Sequence, residues 1–293
     1  MSILNSDVIP YVAPAAAAAG SSITRGVFGS GNTSSMQYIT IATLGNAANF
    51  GSISYRPYAG ALSDTVKGLF GLKDYHIDYI TIATLGNAAN FGNFSGSGRY
   101  VMGACANATR GIWSGGYISI RVRVIDYVTV ATLGNAIVFG NLTSDRSGHA
   151  ACADTTRGVF AGGRDPSNTD KIEYITINTL GNSTSFGTLT NLRNGPIGFA
   201  DATRGVFGGG YKGGNQTTID YVTIQTTSNA TSFGNLAYAT RDHAGCADAT
   251  RGVWGGGDSY QTTMQYITIA TTGNAAYFGS IGSIKEHAAC SGG

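Results

Sequence analysis

One phrase is written six times along this chain of 293 residues. It runs T-R-G-V-F-G-G, then a variable stretch, then D-Y-I-T-I-A-T-x-G-N-A-x-x-F-G. Its basic residue falls at Arg25, Lys67, Arg110, Arg157, Arg204 and Arg251. Its tyrosine falls at Tyr38, Tyr79, Tyr127, Tyr174, Tyr221 and Tyr266, and its closing phenylalanine at Phe50, Phe91, Phe139, Phe186, Phe233 and Phe278. Copies follow one another at roughly 41 to 48 residues, a period that marks a repeat architecture. One such unit cannot bury its apolar face alone, so neighbouring copies must stack to make the core. Side chains that recur six times are therefore read first as packing residues.

The copy at residues 146–190 reads as four strands. Gly148 to Ala153 is short and small-sided. Arg157 to Ala161 follows an Asp-Thr-Thr turn and closes on Gly162-Gly163. After a polar loop, Lys171 to Asn178 carries β-branched or aromatic residues on both faces, which suits a strand packed between sheets. Leu180-Gly181-Asn182 is a turn, with Gly and Asn suited to positive φ, and Ser185 to Leu189 is the last strand. Four antiparallel strands per repeat is the content of a propeller blade. The predicted fold is all-β: a six-bladed β-propeller over residues 21–293, with four antiparallel strands per blade. The small-sided first strand is placed innermost, where the blades converge. The first full phrase begins at a second strand, Thr24 to Phe28, and the chain stops after a first strand, His287 to Gly293. The C-terminal strand is therefore expected to complete the N-terminal blade and remove the exposed edges of an open ring. Ala16 to Ser22 is the rival closing strand, with Gly20 where the cysteine should stand. Residues 1–20 are expected to be an attachment segment outside the propeller: Val8-Ile-Pro-Tyr-Val-Ala-Pro14 is apolar, proline-interrupted and suited to docking extended on a partner.

Composition excludes several classes. A net charge of +2 with sparse charged residues gives no electrostatic footprint for nucleic acid. No run of about 18 apolar residues is present, so no membrane span is expected. The N-terminus lacks a basic region ahead of its alanine run, so export by a signal peptide is not expected. Cys105, Cys152, Cys246 and Cys290 occupy one repeat position and read as small buried side chains, too far apart for disulfides. His149, His243 and His287 are likewise one position repeated, with His76 elsewhere in a loop; distributed ligands do not make a metal site. No catalytic residue, metal or cofactor is assigned, and the Gly-Gly pairs precede no helix, so they are no nucleotide loop.

Strand parity sorts the loops onto two faces. The first-to-second and third-to-fourth turns share a top face and are monotonous (D-A-T-R, T-x-G-N). The second-to-third loops and the inter-blade connections share a bottom face and differ in every blade. Variable loops on a rigid scaffold are where binding resides, and aromatic and arginine side chains are its usual anchors. Tyr117, Arg121, Arg123, Arg164, Tyr211, Lys212 and Tyr260 are the candidate contact residues. Two sets of recurring basics need separate readings. Four of the phrase-opening cations follow an acid by three residues (Asp64, Asp154, Asp201, Asp248), which suggests a local turn salt bridge. The second set, Arg56, Arg99, Arg146, Arg193, Arg241 and Lys285, precedes the inner strand; it either hydrogen-bonds neighbouring loops or rings the channel mouth to bind anionic sugar or phosphate.

The order Arg146-Ser-Gly-His149-Ala-Ala-Cys152, then Gly162-Gly163, then Tyr174 resembles the kelch repeat. The likeness is partial: Phe186-Gly187 stands where kelch repeats carry tryptophan, and Gly71-Leu72 and Gly29-Ser30 break the Gly-Gly pair. T-R-G-V-F-G-G-G with I-D-Y-V-T-I is also similar to repeats of structural proteins of tailed bacteriophages, including those infecting cyanobacteria, over about residues 24–290. That resemblance implies a virion protein assembled in the host cytoplasm, on tail, fibre or capsid. It would hold other virion proteins through its N-terminal segment and bind host-surface glycan or a virion neighbour through its loops. A secreted or cellular lectin-like or protein-interaction propeller is the alternative.

Overall fold

The computed structural model describes residues 24–258, 261–283 and 287–292. Among them the chain forms six four-stranded antiparallel sheets and no α-helix. The inner strands are Ala288–Gly292, Gly60–Ser63, Gly103–Ala106, Ala150–Ala153, Ile197–Ala200 and Ala244–Ala247, for blades 1 to 6 in that order. Each lies beside the inner strands of the two neighbouring blades, which closes the ring. Blade 4 continues outward through Arg157–Ala161, Lys171–Thr176 and Thr184–Thr188. Its loop at residues 164–170 folds as a small hairpin pairing Arg164–Asp165 with Ser167–Asn168. In blade 1 the C-terminal strand pairs with Arg25–Gly29, from Arg25 opposite Gly292 to Gly29 opposite Ala288. Closure by the C-terminus is thus as expected. The proposed attachment segment 1–20 and the rival strand Ala16 to Ser22 lie outside the described residues.

The core lies between blades. Alternate residues of a strand face opposite sides of its sheet, so Val27 packs towards blade 2 while Phe28 packs towards blade 6. Six such apolar clusters fill the six interfaces. The glycine of T-R-G is explained here, because each inner strand pushes one side chain over the next blade's glycine. A Cβ on Gly26 would lie 2.3 Å from Cys246 Sγ, and one on Gly68 2.3 Å from Cys290 Sγ. Leu62 and Phe199 fill the same role over Gly111 and Gly252. The four cysteines are free, buried knobs, and burial pushes the Cys105 thiol up to about 12.

The three landmarks of the phrase meet in space. Tyrosine and closing phenylalanine make an edge-to-face pair in every blade, at ring distances of 5.9 to 6.2 Å. In five blades the phrase-opening arginine lies over that tyrosine, as Arg157 does over Tyr174 at 4.5 Å. The same cation then reaches the next blade. Arg25 donates to Ile82 and Ala83 carbonyls, Lys67 to Val130 and Ala131, Arg110 to Ile177, Arg157 to Ile224, Arg204 to Ile269 and Ala270, and Arg251 to Ile41. The expected turn salt bridge does not form. Asp64, Asp154, Asp201 and Asp248 instead accept backbone N–H groups two and three residues on. Those carboxylates hold the turn, which leaves each cation free to span the interface.

The T-x-G-N turn works in the opposite direction. Asn46, Asn87, Asn135, Asn182, Asn229 and Asn274 each accept an N–H from the outer strand of the preceding blade, at 2.9 to 3.1 Å. The F-G glycine lies directly under that turn. A Cβ on Gly51, Gly92 or Gly140 would come within 2.0 to 2.1 Å of a carbonyl oxygen of the next blade's turn.

Candidate functional site

The two faces of the ring are built for different tasks. On the top face both turn types are committed to blade-to-blade contacts. The first-to-second turns surround a funnel of about 720 Å³ lined by the inner-strand ends, mainly Ala, Gly, Thr, Cys and the turn aspartates. The channel narrows below this, where Gly60, Gly103, Ala150, Gly198 and Ala244 approach the axis.

The bottom loops stand on buried polar pairs. Every third strand carries a register shift against the outer strand at one place: Met36/Gln37, Ile77/Asp78, Ile125/Asp126, Ile172/Glu173, Ile219/Asp220 and Met264/Gln265. A bulge re-aims a side chain, and in blades 2 to 6 it buries the polar residue beside the loop entering the blade, while Gln37 of blade 1 is half-buried. Asp126 pairs with Arg99 at 3.0 Å, Glu173 with Arg146 at 3.4 Å and Asp220 with Arg193 at 2.9 Å, all nearly solvent-free. Ser95, Thr143 and Thr190 hydroxyls donate to the same carboxylates. Burial raises the Glu173 pKa, but Arg146 and the Ser183 and Thr143 donors outweigh it and hold the carboxyl below its usual range. Of the two readings of this arginine set, the structural one holds for Arg99, Arg146 and Arg193. Arg56 instead pairs with Asp74 at 2.6 Å, leaving Asp78 without a guanidinium, and burial raises its carboxyl above the usual range. Arg241 lies between Asp242 and Asp258, half-exposed. In blade 6 the arginine position is Thr240 and the acid position Gln265, whose amide oxygen accepts the Ala237 N–H. Lys285 lies outside the described residues.

The seven candidate contact residues do not form one site. Tyr117 is half-buried and forms bridges with both Tyr100 and Arg121. Arg121 is half-buried, and its Nε is shielded from solvent without a hydrogen-bond partner. Arg123 is exposed two residues on. Arg164 is exposed and donates to the Pro166 carbonyl within its own hairpin. Tyr211 is half-buried beneath Arg241, whose guanidinium lies 4.6 Å from its ring centre. Lys212 is exposed and donates to Asn191. Tyr260 lies outside the described residues.

A tyrosine cluster at the boundary of blades 2 and 3 was missed by sequence reasoning. Tyr58 and Tyr100 have ring centres 6.0 Å apart, and Tyr100 and Tyr117 5.5 Å apart. The exposed Lys73 ammonium lies 4.8 Å over the Tyr100 ring. Ile118 and Ile120 are exposed in the adjoining hairpin. The backbone here is unusual. Tyr58, Val101, Gly148, Gly195 and Asp242 occupy one repeat position at φ between 52° and 67°. N–H groups of Val101, Gly148 and Gly195 each bond the carbonyl of the preceding member, ringing the lower channel mouth. Blades 4 and 5 use glycine there, whereas tyrosine and β-branched valine cost of order 1–3 kcal/mol each in that region. Tyr75, at φ 71°, adds a third such residue to the same sector.

The recurring histidines sit at the blade interfaces. His149 Nε2 is 2.8 Å from Ser114 Oγ of the preceding blade, and its Nδ1 has no partner. Burial, with Arg146 and Arg99 nearby, pushes its pKa well below the usual value. This serine–histidine pair is buried, and no group is hydrogen-bonded to the second ring nitrogen to orient it as a base. No group of three metal-ligating side chains occurs among the described residues. No family model and no curated protein matches the chain.

Proposed function

We propose that this chain is a non-enzymatic, kelch-like structural protein of a bacteriophage virion. Its propeller is exposed on tail or capsid, and its bottom face engages host-surface glycan or a neighbouring virion protein. One observation carries the binding-face reading: the top turns are spent on contacts between blades, while the bottom loops differ from blade to blade above a common set of buried polar residues. Rigid support beneath variable loops is the arrangement a recognition surface needs. The virion assignment rests on the likeness of T-R-G-V-F-G-G-G and I-D-Y-V-T-I to phage repeats. Antibody-labelled electron microscopy of the parent particle tests it; label absent from purified particles overturns it. Replacing Tyr117, Tyr211 and Tyr260 together by Ala tests the face. Loss of cell adsorption or of particle assembly is expected, whereas loss of either on altering exposed top-turn positions alone would mean that the faces are assigned the wrong way round.

A further inference from the structure

Within the bottom face the blade 2–3 sector differs from the rest in two independent ways. It holds the Tyr58–Tyr100–Tyr117 cluster. It keeps bulky residues, Tyr58 and Val101, at a left-handed position that blades 4 and 5 give to glycine. Strain of this kind persists where the surroundings enforce it and clusters at ligand sites. Lys73, Arg121 and Arg123 border this sector and form no ion pair with any described residue, a state they share with the exposed Arg164 and Lys212 of blades 4 and 5. The Arg121 Nε is shielded and without a hydrogen-bond partner, as are those of Arg146, Arg193 and Arg241.

The support is rigid. A Cβ on Gly98 would lie 2.1 Å from the Lys73 carbonyl oxygen, so the loop leading to Tyr100 is pressed against the loop carrying Lys73. Tyr100 and Tyr117 exchange both backbone hydrogen bonds, at 3.2 and 2.9 Å. The result is a fixed set of tilted rings with phenol groups, bordered by positive charge.

We propose that this patch binds a carboxylate-bearing saccharide, resting on the reading that the bottom face is the binding face. Tyrosine rings offer apolar faces to the C–H side of a pyranose and hydroxyls to its rim, at small entropic cost because they have few rotatable bonds. Lys73 and Arg121 take the carboxylate through charge-assisted hydrogen bonds. A protein partner would need a much larger continuous surface, for which Ile118 and Ile120 are the local anchors.

The test uses the full-length protein on an array of uronate-bearing, sialate-bearing and neutral oligosaccharides. Retention at least 10-fold stronger on the acidic members is expected. Tyr100→Ala and Tyr117→Ala should lower retention at least 10-fold, with thermal unfolding checked to exclude misfolding. Lys73→Gln with Arg121→Gln should bring acidic binding down to the neutral level, and Ile118→Ser with Ile120→Ser should change nothing. A blank array, unchanged retention in folded tyrosine variants, or loss on the isoleucine change would each overturn the saccharide proposal. If the array is blank while Tyr100→Ala or Tyr117→Ala abolishes cell adsorption or assembly, the binding-face reading stands with a protein occupant. If neither adsorption nor assembly changes in any of these variants or in the Tyr211→Ala variant, that reading falls as well.

Discussion

At the scale of single residues, the T-R-G and F-G glycines of the phrase are places where another blade's atoms already occupy the Cβ position. Gly140 lies 2.1 Å, at its virtual Cβ, from the Gly181 oxygen, whereas Gly134 has open space around it. Gly140→Ala is therefore expected to destabilise the protein by about 1–3 kcal/mol through forced backbone displacement. Gly134→Ala should stay within about 0.5 kcal/mol, the range of surface changes. Urea denaturation of the two variants measures the difference. The buried histidines give a pH dependence. Burial lowers His243 from 6.5 to about 3, with His287 adding to the effect, and lowers His287 to about 4. Above pH 6.5 neither state binds the extra protons. As pH falls from 6.5 towards 3 to 4 the unfolded chain takes them up and the folded chain does not, so stability falls with acidity over that window. The difference in unfolding free energy between pH 7 and pH 4.5 should shrink in a His243→Gln, His287→Gln variant; an equal drop in both proteins would exclude the histidines as its source.

At the scale of elements, third-strand bulge, buried acid and loop arginine form one device in blades 3, 4 and 5. Removing only the arginine strands a buried charge, so Arg193→Thr should cost about 3–5 kcal/mol. Blade 6 supplies the neutral version with Thr240 and Gln265, and the double change Arg193→Thr, Asp220→Gln should recover most of the loss. Chemical denaturation of the single and double variants decides this, and no recovery would mean that the arginine acts through packing alone. This device also shows what the sequence made legible. Strand content, blade count, inner-strand identity and closure follow from periodicity and side-chain size, which are local. The Arg–acid pairing joins residues 27 apart, from Arg99 to Asp126 and from Arg193 to Asp220, across a bulge that alternation does not reveal. The phrase-opening arginine looked bound to a turn aspartate because proximity in sequence was the only guide. Its acceptors are carbonyls of another blade, 57 to 67 residues on in Arg25, Arg110 and Arg157. The tyrosine cluster escaped for the same reason: Tyr58, Tyr100 and Tyr117 come from two inter-blade loops and one blade loop.

At the scale of the whole molecule, the C-terminal strand is the fourth part of the first sheet, with five residue pairs to Arg25–Gly29. Removing residues 287–293 is expected to abolish or sharply broaden the cooperative thermal transition of the ring, and an unchanged transition would mean that another segment closes blade 1. Every interface in this ring also has a direction. The cation and the inner-strand knob go forward to the next blade, and the T-x-G-N turn goes back to the one before. Such contacts join unlike surfaces, as in a heterologous subunit interface, where the rotation per unit decides whether assembly ends in a closed ring or runs on as a fibre. Any run of consecutive blades therefore presents a donor side at one end and an acceptor side at the other. Three blades cut from this chain, residues 95–240, carry half of the turn needed for closure. Two copies should meet head to tail as a two-fold symmetric ring, detectable as a dimer by sedimentation, with a monomer or an open polymer showing instead that the curvature belongs to the intact chain and not to each blade.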